Sequence, residues 1–459
     1  MLKRDAWLLT LVYCEFWISA AFGLLQPFFP VLASSKGLDA WKYGFVFSAC
    51  KLSMFIGSLL GDKFMMATSP LTCYLVGLGG FSLFTVVFGC LFWAPDGNVL
   101  LGLAITLVTL GGLTNTLYLV SMFAVVTTRF RKCPGYIIAF LEFLWGSGTM
   151  VGAAIGGALI DVWDFPLPFF VLGVITFLMF PIIIRIGRNL NNAGECASVD
   201  AAKREPDMKY ARLLWDPEYL AALITLTLSW IMFGFNEPTL EPSLREFNLS
   251  STETGIVYTV QFASYAAGGV VAGASCSFHG RRQEFRSGET VGRRTKHQGP
   301  RLQAHFQTRP LRRLEAFYSL VGLALSSFGY LLVGPAPFLH STRHLWMVYL
   351  SQVFMGLGAS AQFICGYCRA LKLVLLRGYP DNIRSSGFVS SSVFTFAVFG
   401  SIVAPPAAGY LVETFGYPTG SMAMLGLLLA WFPVSFCIWI KSLFPGHKYR
   451  TVDTHNGNK

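Results

Sequence analysis

The chain of 459 residues is 54% hydrophobic and only 13% charged, with 41 phenylalanines and a mean hydropathy of +0.54. A water-soluble globule has no core large enough for that much apolar surface, so the composition excludes one and implies an integral membrane protein. The net charge of +11 does not point to nucleic acid, because the Lys and Arg residues fall in short stretches between apolar runs.

A helix needs about 20 predominantly apolar residues to cross the hydrocarbon. In chain order such runs cover 7–29, 43–60, 71–93, 99–126, 136–160 and 167–184, then 220–240, 255–274, 316–333, 346–368, 387–412 and 421–440. The expected fold is an all-α membrane protein of twelve transmembrane helices in two six-helix pseudo-repeats. Residues 1–184 form the first bundle, 185–215 a polar cytoplasmic linker, 216–440 the second bundle and 441–459 a cytoplasmic tail.

The repeat is visible in the residues. Phe22, Gly23, Pro27, Pro30 and Gly44 reappear as Phe233, Gly234, Pro238, Pro242 and Gly255, and Pro27 to Pro238 is a step of 211 residues. A second set, Gly148, Gly157 and Asp161, reappears as Gly400, Gly409 and Glu413 at a step of 252. Duplicated bundles of this kind hold a substrate path between their halves. The difference between the steps locates an insertion at about 277–313, dense in Arg and low in apolar residues. It is expected to be irregular, and it reads equally as a segment drawn to anionic lipid headgroups or as non-native coding.

Charge sets the expected orientation. Lys3, Arg4, Lys63, the run Arg129 to Lys132, the linker, the insertion, Arg377, Arg384 and the tail alternate with connections that carry few bases. The positive-inside rule then puts both termini in the cytoplasm. Asn248-Leu249-Ser250 falls on the other side, where Asn248 is a glycosylation candidate. No cleavable signal is evident, and the first helix serves as its own targeting signal. The ten cysteines form no disulfide framework, and Cys365-Gly-Tyr-Cys368 has neither a nearby His nor a second pair, so neither a metal nor a cofactor is expected.

Ionisable groups inside spans cost about 2.5 to 3.5 kcal/mol each at the bilayer centre unless paired or facing water, and they are the first functional candidates. Glu142 lies in the fifth span, where exchange of a proton for a cationic substrate would need such a carboxyl group; a structural ion pair is the alternative. Glu15 and Lys51 lie at a similar depth in the first two spans, and the three could pair with one another, Lys51 as neutralising partner. Glu237 precedes Pro238 in the seventh span, at the place of Gln26 in the first, either as a vestibule residue for cations or as a wet interfacial carboxylate. Arg369 and Lys372 are expected to end the tenth span and snorkel to the interface. Gly148, Gly152, Gly156 and Gly157 permit close helix contact, and Pro405-Pro406 loosens the eleventh span, so these residues are gating candidates; ordinary tight packing explains the glycines equally well.

The six-plus-six arrangement resembles the major facilitator superfamily, and the motifs resemble its vesicular amine transporter branch, nearest to polyamine transporter-like members. The likeness is carried by Pro27-Phe28-Phe29-Pro30, by Leu141-Glu142 with the glycines through Gly157, and by Phe233 to Leu240 with Asn236-Glu237-Pro238. Phe247-Asn248-Leu249 and the stretch Leu332 to His340 add to it. Each motif is degenerate, but five in order are specific. The resemblance implies proton-coupled antiport of organic cations, with Glu142 as the matching membrane glutamate and Glu237 as a looser match. The superfamily's cytoplasmic gate motif survives as Gly61-Asp62-Lys63, adding Asp62 and Lys63 to the gating candidates. Departures are Ala153-Ala154 where proline is usual, Arg369 in place of an acidic residue, and Lys51.

The expected protein is therefore a transporter in vesicular or other membranes, with an organic cation, protons and lipid as its partners. A carrier of zwitterions or organic anions, which Lys51 and Arg369 would suit, and a non-transporting scaffold or sensor are the alternatives. An enzyme is not expected, since no zinc, acyl-transfer or serine-nucleophile motif is present.

Overall fold

The computed structural model describes residues 2–129, 134–191, 210–294, 300–334, 343–379 and 383–443. Among them, twelve helices are long and apolar enough to cross a membrane. They are Leu9–Ser35, Ala40–Gly61, Leu71–Trp93, Asn98–Phe123, Phe140–Val162 and Pro166–Arg185, followed by Pro217–Phe247, Ser251–Ser275, Leu314–Val333, Leu345–Leu376, Ser392–Phe415 and Tyr417–Leu443. They are called the first to twelfth spans below. Most of the linker, the tail beyond Leu443 and the loop 335–342 lie outside the described residues.

Three local features differ from expectation, each for a physical reason. The first span is two helices, Leu2–Phe22 and Leu25–Ser35. Pro27 has no N–H to donate back toward Gly23, which weakens the ladder there. Gly23 uses the break to approach the fifth span: a Cβ on it would lie 2.7 Å from the Thr149 carbonyl oxygen. The basic stretch expected to be irregular is instead helical apart from 295–299, which lie outside the described residues. The eighth helix runs Ser251–Arg294 and the ninth Pro300–Val333. Once a span has nucleated a helix, extending it costs little, and Arg, Gln and Glu are good helix formers. The tenth helix continues to Leu376, so Arg369 and Lys372 do not end it; Lys372 bonds the buried Glu315 of the ninth span.

The packing obeys the repeat. In the first half the first span packs on the fifth, the second on the fourth, and the third on the fourth and sixth; the second half repeats this as seventh on eleventh, eighth on tenth, and ninth on tenth and twelfth. The halves meet through two equivalent contacts, fifth on eighth and second on eleventh. The correspondence extends to single residues. Gly44 lies against Pro405 and Pro406 as Gly255 lies against Ala153, and Gly157 meets the Ser251 carbonyl as Gly409 meets Ala40. A Cβ would press on backbone in each case, at 2.5 and 2.6 Å for Gly255 and Gly157 and at 3.0 Å for Gly44 and Gly409, which favours glycine in both copies.

Gly148, Gly152 and Gly156 form one ridge against the first span, where Cβ atoms would fall 2.3, 2.0 and 2.4 Å from Phe16 O, Ala20 O and the Leu24 side chain. Gly157 faces the eighth span instead.

Two hydrogen bonds mark the axis between the halves. Gln26 Nε2 donates to Glu237 Oε1 (3.2 Å), and Arg245 donates to Ser34 Oγ (3.0 Å), each pair 211 residues apart. Positions equivalent in the repeat can touch only beside the axis that relates them. On the face opposite the termini the loops are laced together. Arg245 forks onto Glu241 with bonds of 3.0 and 2.8 Å, and Lys36 pairs with Asp96 at 3.3 Å. Arg343 reaches Glu246 at 2.7 Å and packs over the rings of Phe247 and Tyr417. The eighth helix starts with a capping box, Ser250 and Glu253 bonding each other's backbone N–H. Asp161 of the other half adds a cap, accepting from Thr252 N at 3.0 Å and from its hydroxyl.

Candidate functional site

Between the halves lies a small cavity. The first span supplies Glu15, Ile18, Ser19 and Phe22; the fifth supplies Leu141, Glu142 and Trp145; Met54, Asn115, Leu119, Phe123, Trp230 and Phe394 close it from four further spans. Among the described residues the lining holds two carboxylates and no Lys or Arg.

Helix geometry explains the convergence. Glu142 and Trp145 are three apart and share a face, and the glycine ridge that follows them draws that helix against the first span. Glu15 and Ser19 are likewise one turn apart, so the two carboxylates enter the cavity from adjacent helices. Glu142 is 9% exposed, and its Oε2 accepts from Tyr265 OH at 2.8 Å. Its described partner is thus a hydroxyl from the opposite half. Glu15 is 3% exposed, and the buried Tyr118 hydroxyl lies beside its carboxylate.

Aromatic rings form the wall beside Glu142. Trp145 stacks on Trp230 at a centroid distance of 6.4 Å and meets Phe233, Phe262 and Tyr265 edge-on at 6.0, 6.0 and 5.2 Å. Toward the face that carries the termini, Phe123 of the first half meets Phe394 of the second at 5.1 Å. Ring faces carry negative potential and attract organic cations by about 0.5 to 2 kcal/mol each.

Lys51 and Glu237 are not in this cavity. Their side chains pair at 2.9 Å with 4% and 1% of their surface exposed, and both line a second, narrow apolar-walled crevice with Gln26. Lys51 does not pair with Glu15 or Glu142, and Glu237 is sealed inside rather than wetted at the end of its span. The Lys51 ammonium also lies over Phe22 and Trp230, 5.2 and 5.5 Å from the ring centroids. Phe22 belongs to both cavities and Trp230 to the first, so the ion pair and these rings form the partition between them.

Among the other candidates, Pro405 and Pro406 face Gly44 between the halves. Asp62 and Lys63 fall in the last turns of the helix Ala40–Ala67, with side chains outside the described residues. Asn248 is exposed in a left-handed turn (φ 49°) between the seventh and eighth spans. Cys365 and Cys368 are buried in an apolar cluster. The sequence reading missed Trp145, Trp230 and Tyr265. Trp145 could have been found one turn beyond Glu142, and Tyr265 as a hydroxyl in an apolar run; nothing marks Trp230 apart from lipid-facing rings.

A twelve-helix bundle of paired halves enclosing a central cavity is the architecture of a secondary transporter. Residues 9–240 match the Major Facilitator Superfamily, and the chain belongs to that family: it is a multi-pass membrane transporter and not an enzyme. Its relatives include the MFS-type transporter SLC18B1 of Rattus norvegicus, 23% identical over 398 residues that span 86% of this chain and 78% of the relative. The Homo sapiens protein of the same name is 24% identical over 399 residues, with the same coverage. The crystal structure of the nucleoside transporter NupG superimposes with a TM-score of 0.60, covering 94% of this chain and 98% of that one at 10% identity, a likeness of fold.

Proposed function

We propose that this protein is a proton-coupled antiporter of organic cations, amines or polyamines, that works by alternating access. One observation carries the reading: among the described residues, the cavity on the axis between the halves presents Glu15 and Glu142 and an aromatic wall but no base. An ammonium group is recognised by this combination of carboxylate and ring faces. Glu142 serves as the exchange group, taking a proton when the cation leaves and releasing it when the cation binds; its partner Tyr265 is a hydroxyl that can bond either form. An organic-anion carrier would need a base facing this cavity, and Lys51, which lies over two of its rings, is paired with Glu237.

The basic connections support cytoplasmic termini, which leaves Asn248 on the lumenal or exterior side. The resemblance to vesicular amine transporters supports a vesicular or other endomembrane location. The density of Arg in 277–313 supports attraction of this stretch to anionic lipid headgroups. The test is uptake into proteoliposomes with an acidic lumen, using labelled mono-, di- and polyamines against organic anions. The account expects amine uptake that a protonophore abolishes; uptake of anions instead, or of nothing, contradicts it.

A further inference from the structure

Glu15 lines the cavity with Glu142, yet the exchange at Glu142 gives it no part, and its surroundings lead away from the cargo. Four titratable side chains face it: Cys14 on its own helix, Tyr74 on the third span, Tyr118 on the fourth and Glu142 on the fifth. The Tyr118 hydroxyl lies beside the Glu15 carboxylate, the Tyr74 hydroxyl beside that of Tyr118, and the two rings pack at a centroid distance of 4.9 Å. Tyr118 is fully buried. Tyr74 is partly buried and sits one turn into the helix Pro70–Gly89, whose start faces the side of the termini, about 6 Å from that end at 1.5 Å per residue. Other buried phenols of this protein rest on main-chain carbonyls: Tyr43 donates to Pro238 O and Tyr330 to Met232 O. Tyr118 makes no such bond, and its hydroxyl is left to a carboxylate and another phenol. The seam around it has no room for water between the backbones, since a Cβ on Gly77 of the third span would lie 2.4 Å from Tyr118 N, and Cys73 Sγ bonds to Leu117 O at 3.4 Å.

We propose that Glu15, Tyr118 and Tyr74 form a proton path between the cavity and the face that carries the termini, separate from the route of the cargo. The path rests on the antiport reading and adds the way the proton leaves. In one concerted step the Glu15 carboxyl passes its proton to the Tyr118 oxygen, the Tyr118 hydroxyl proton passes to the Tyr74 oxygen, and the Tyr74 hydroxyl proton passes to water at the helix start. Each phenol ends neutral and Glu15 ends as a carboxylate. A phenol hydroxyl both donates and accepts, and rotation of the two hydroxyls resets the path.

The test follows the Glu15 carboxyl by infrared spectroscopy in the purified full-length protein, at the pH where its protonated band, identified by its loss in Glu15→Gln, is strongest. After transfer to heavy water, Tyr118→Phe and Tyr74→Phe, which keep the rings and their packing, should each slow deuteration of that band at least tenfold relative to wild type. Tyr13→Phe, which removes a hydroxyl of the same helix that donates to Ile175 O, should not. In proteoliposomes the Tyr118 and Tyr74 variants should slow amine uptake driven by a pH gradient at least tenfold, and leave exchange of labelled for unlabelled amine at equal pH within twofold of wild type. The proposal is overturned by the absence of such a band at every pH, by wild-type deuteration rates in either variant, by slowing that Tyr13→Phe shares, or by equal loss of uptake and exchange, which marks a structural role. Deuteration is read without flux, so a protein whose Glu15 exchanges through Tyr118 yet moves no amine would defeat the antiport reading and leave the path standing.

Discussion

At the scale of residues, two carboxylates, Glu15 and Glu142, face a cavity, and a third, Glu237, is sealed against a base. Lys51 and Glu237 are almost wholly buried, and removing one partner of such a pair costs roughly 3–5 kcal/mol, because a charge is left unpaired in a medium of low polarity. Lys51→Met should therefore lower thermal stability sharply, while Lys51→Met with Glu237→Leu recovers most of it; a double variant as unstable as the single one would show that the pair is not coupled. Depth counting along the helices put Lys51, Glu15 and Glu142 at one level but could not tell which way each helix is turned. Rotation about the helix axis is what sends Lys51 to Glu237. The repeat carried the missing signal: Glu237 occupies the place of Gln26, and equivalent positions near the axis can meet.

At the scale of elements, glycines set how closely the spans approach. Gly152 lies against the Ala20 carbonyl, with only 2.0 Å left for a Cβ, whereas Gly426 of the twelfth span has nothing within 4 Å. Gly152→Ala should cost about 1–3 kcal/mol through overpacking, and Gly426→Ala should stabilise by up to about 1 kcal/mol through helix propensity. Thermal melting of the two variants decides this, and equal effects would contradict the packing. All twelve spans were legible in the sequence, because apolar length is what the bilayer selects. The break at Gly23 was not, since the seventh span carries the matching Gly234 and Pro238 in a continuous helix. Only the approach to Thr149 distinguishes the first copy. Nor was the helical course of the basic stretch, which propagates from spans folded on either side of it.

At the scale of the whole molecule, the described contacts are lopsided. Opposite the termini the halves are joined by Asp161 to Thr252, Ser34 to Arg245, and Tyr43 to the Pro238 carbonyl at 3.2 Å. Toward the termini the described aromatic contacts between halves are Phe123 with Phe394 and Phe55 with Phe399. Alternating access requires the first set to open in each cycle. Cysteines at 161 and 252 (Asp161→Cys with Thr252→Cys) should block flux when oxidised and release it on reduction, and transport that continues through the crosslink would contradict the rocking motion. The most direct measurement of the central claim is lumenal pH. In acid-loaded proteoliposomes, adding a transported amine outside should alkalinise the lumen through wild-type protein and leave it unchanged through Glu142→Gln. Amine uptake by wild type with no lumenal pH change beyond that of Glu142→Gln would contradict the exchange of a proton for a cation at this cavity.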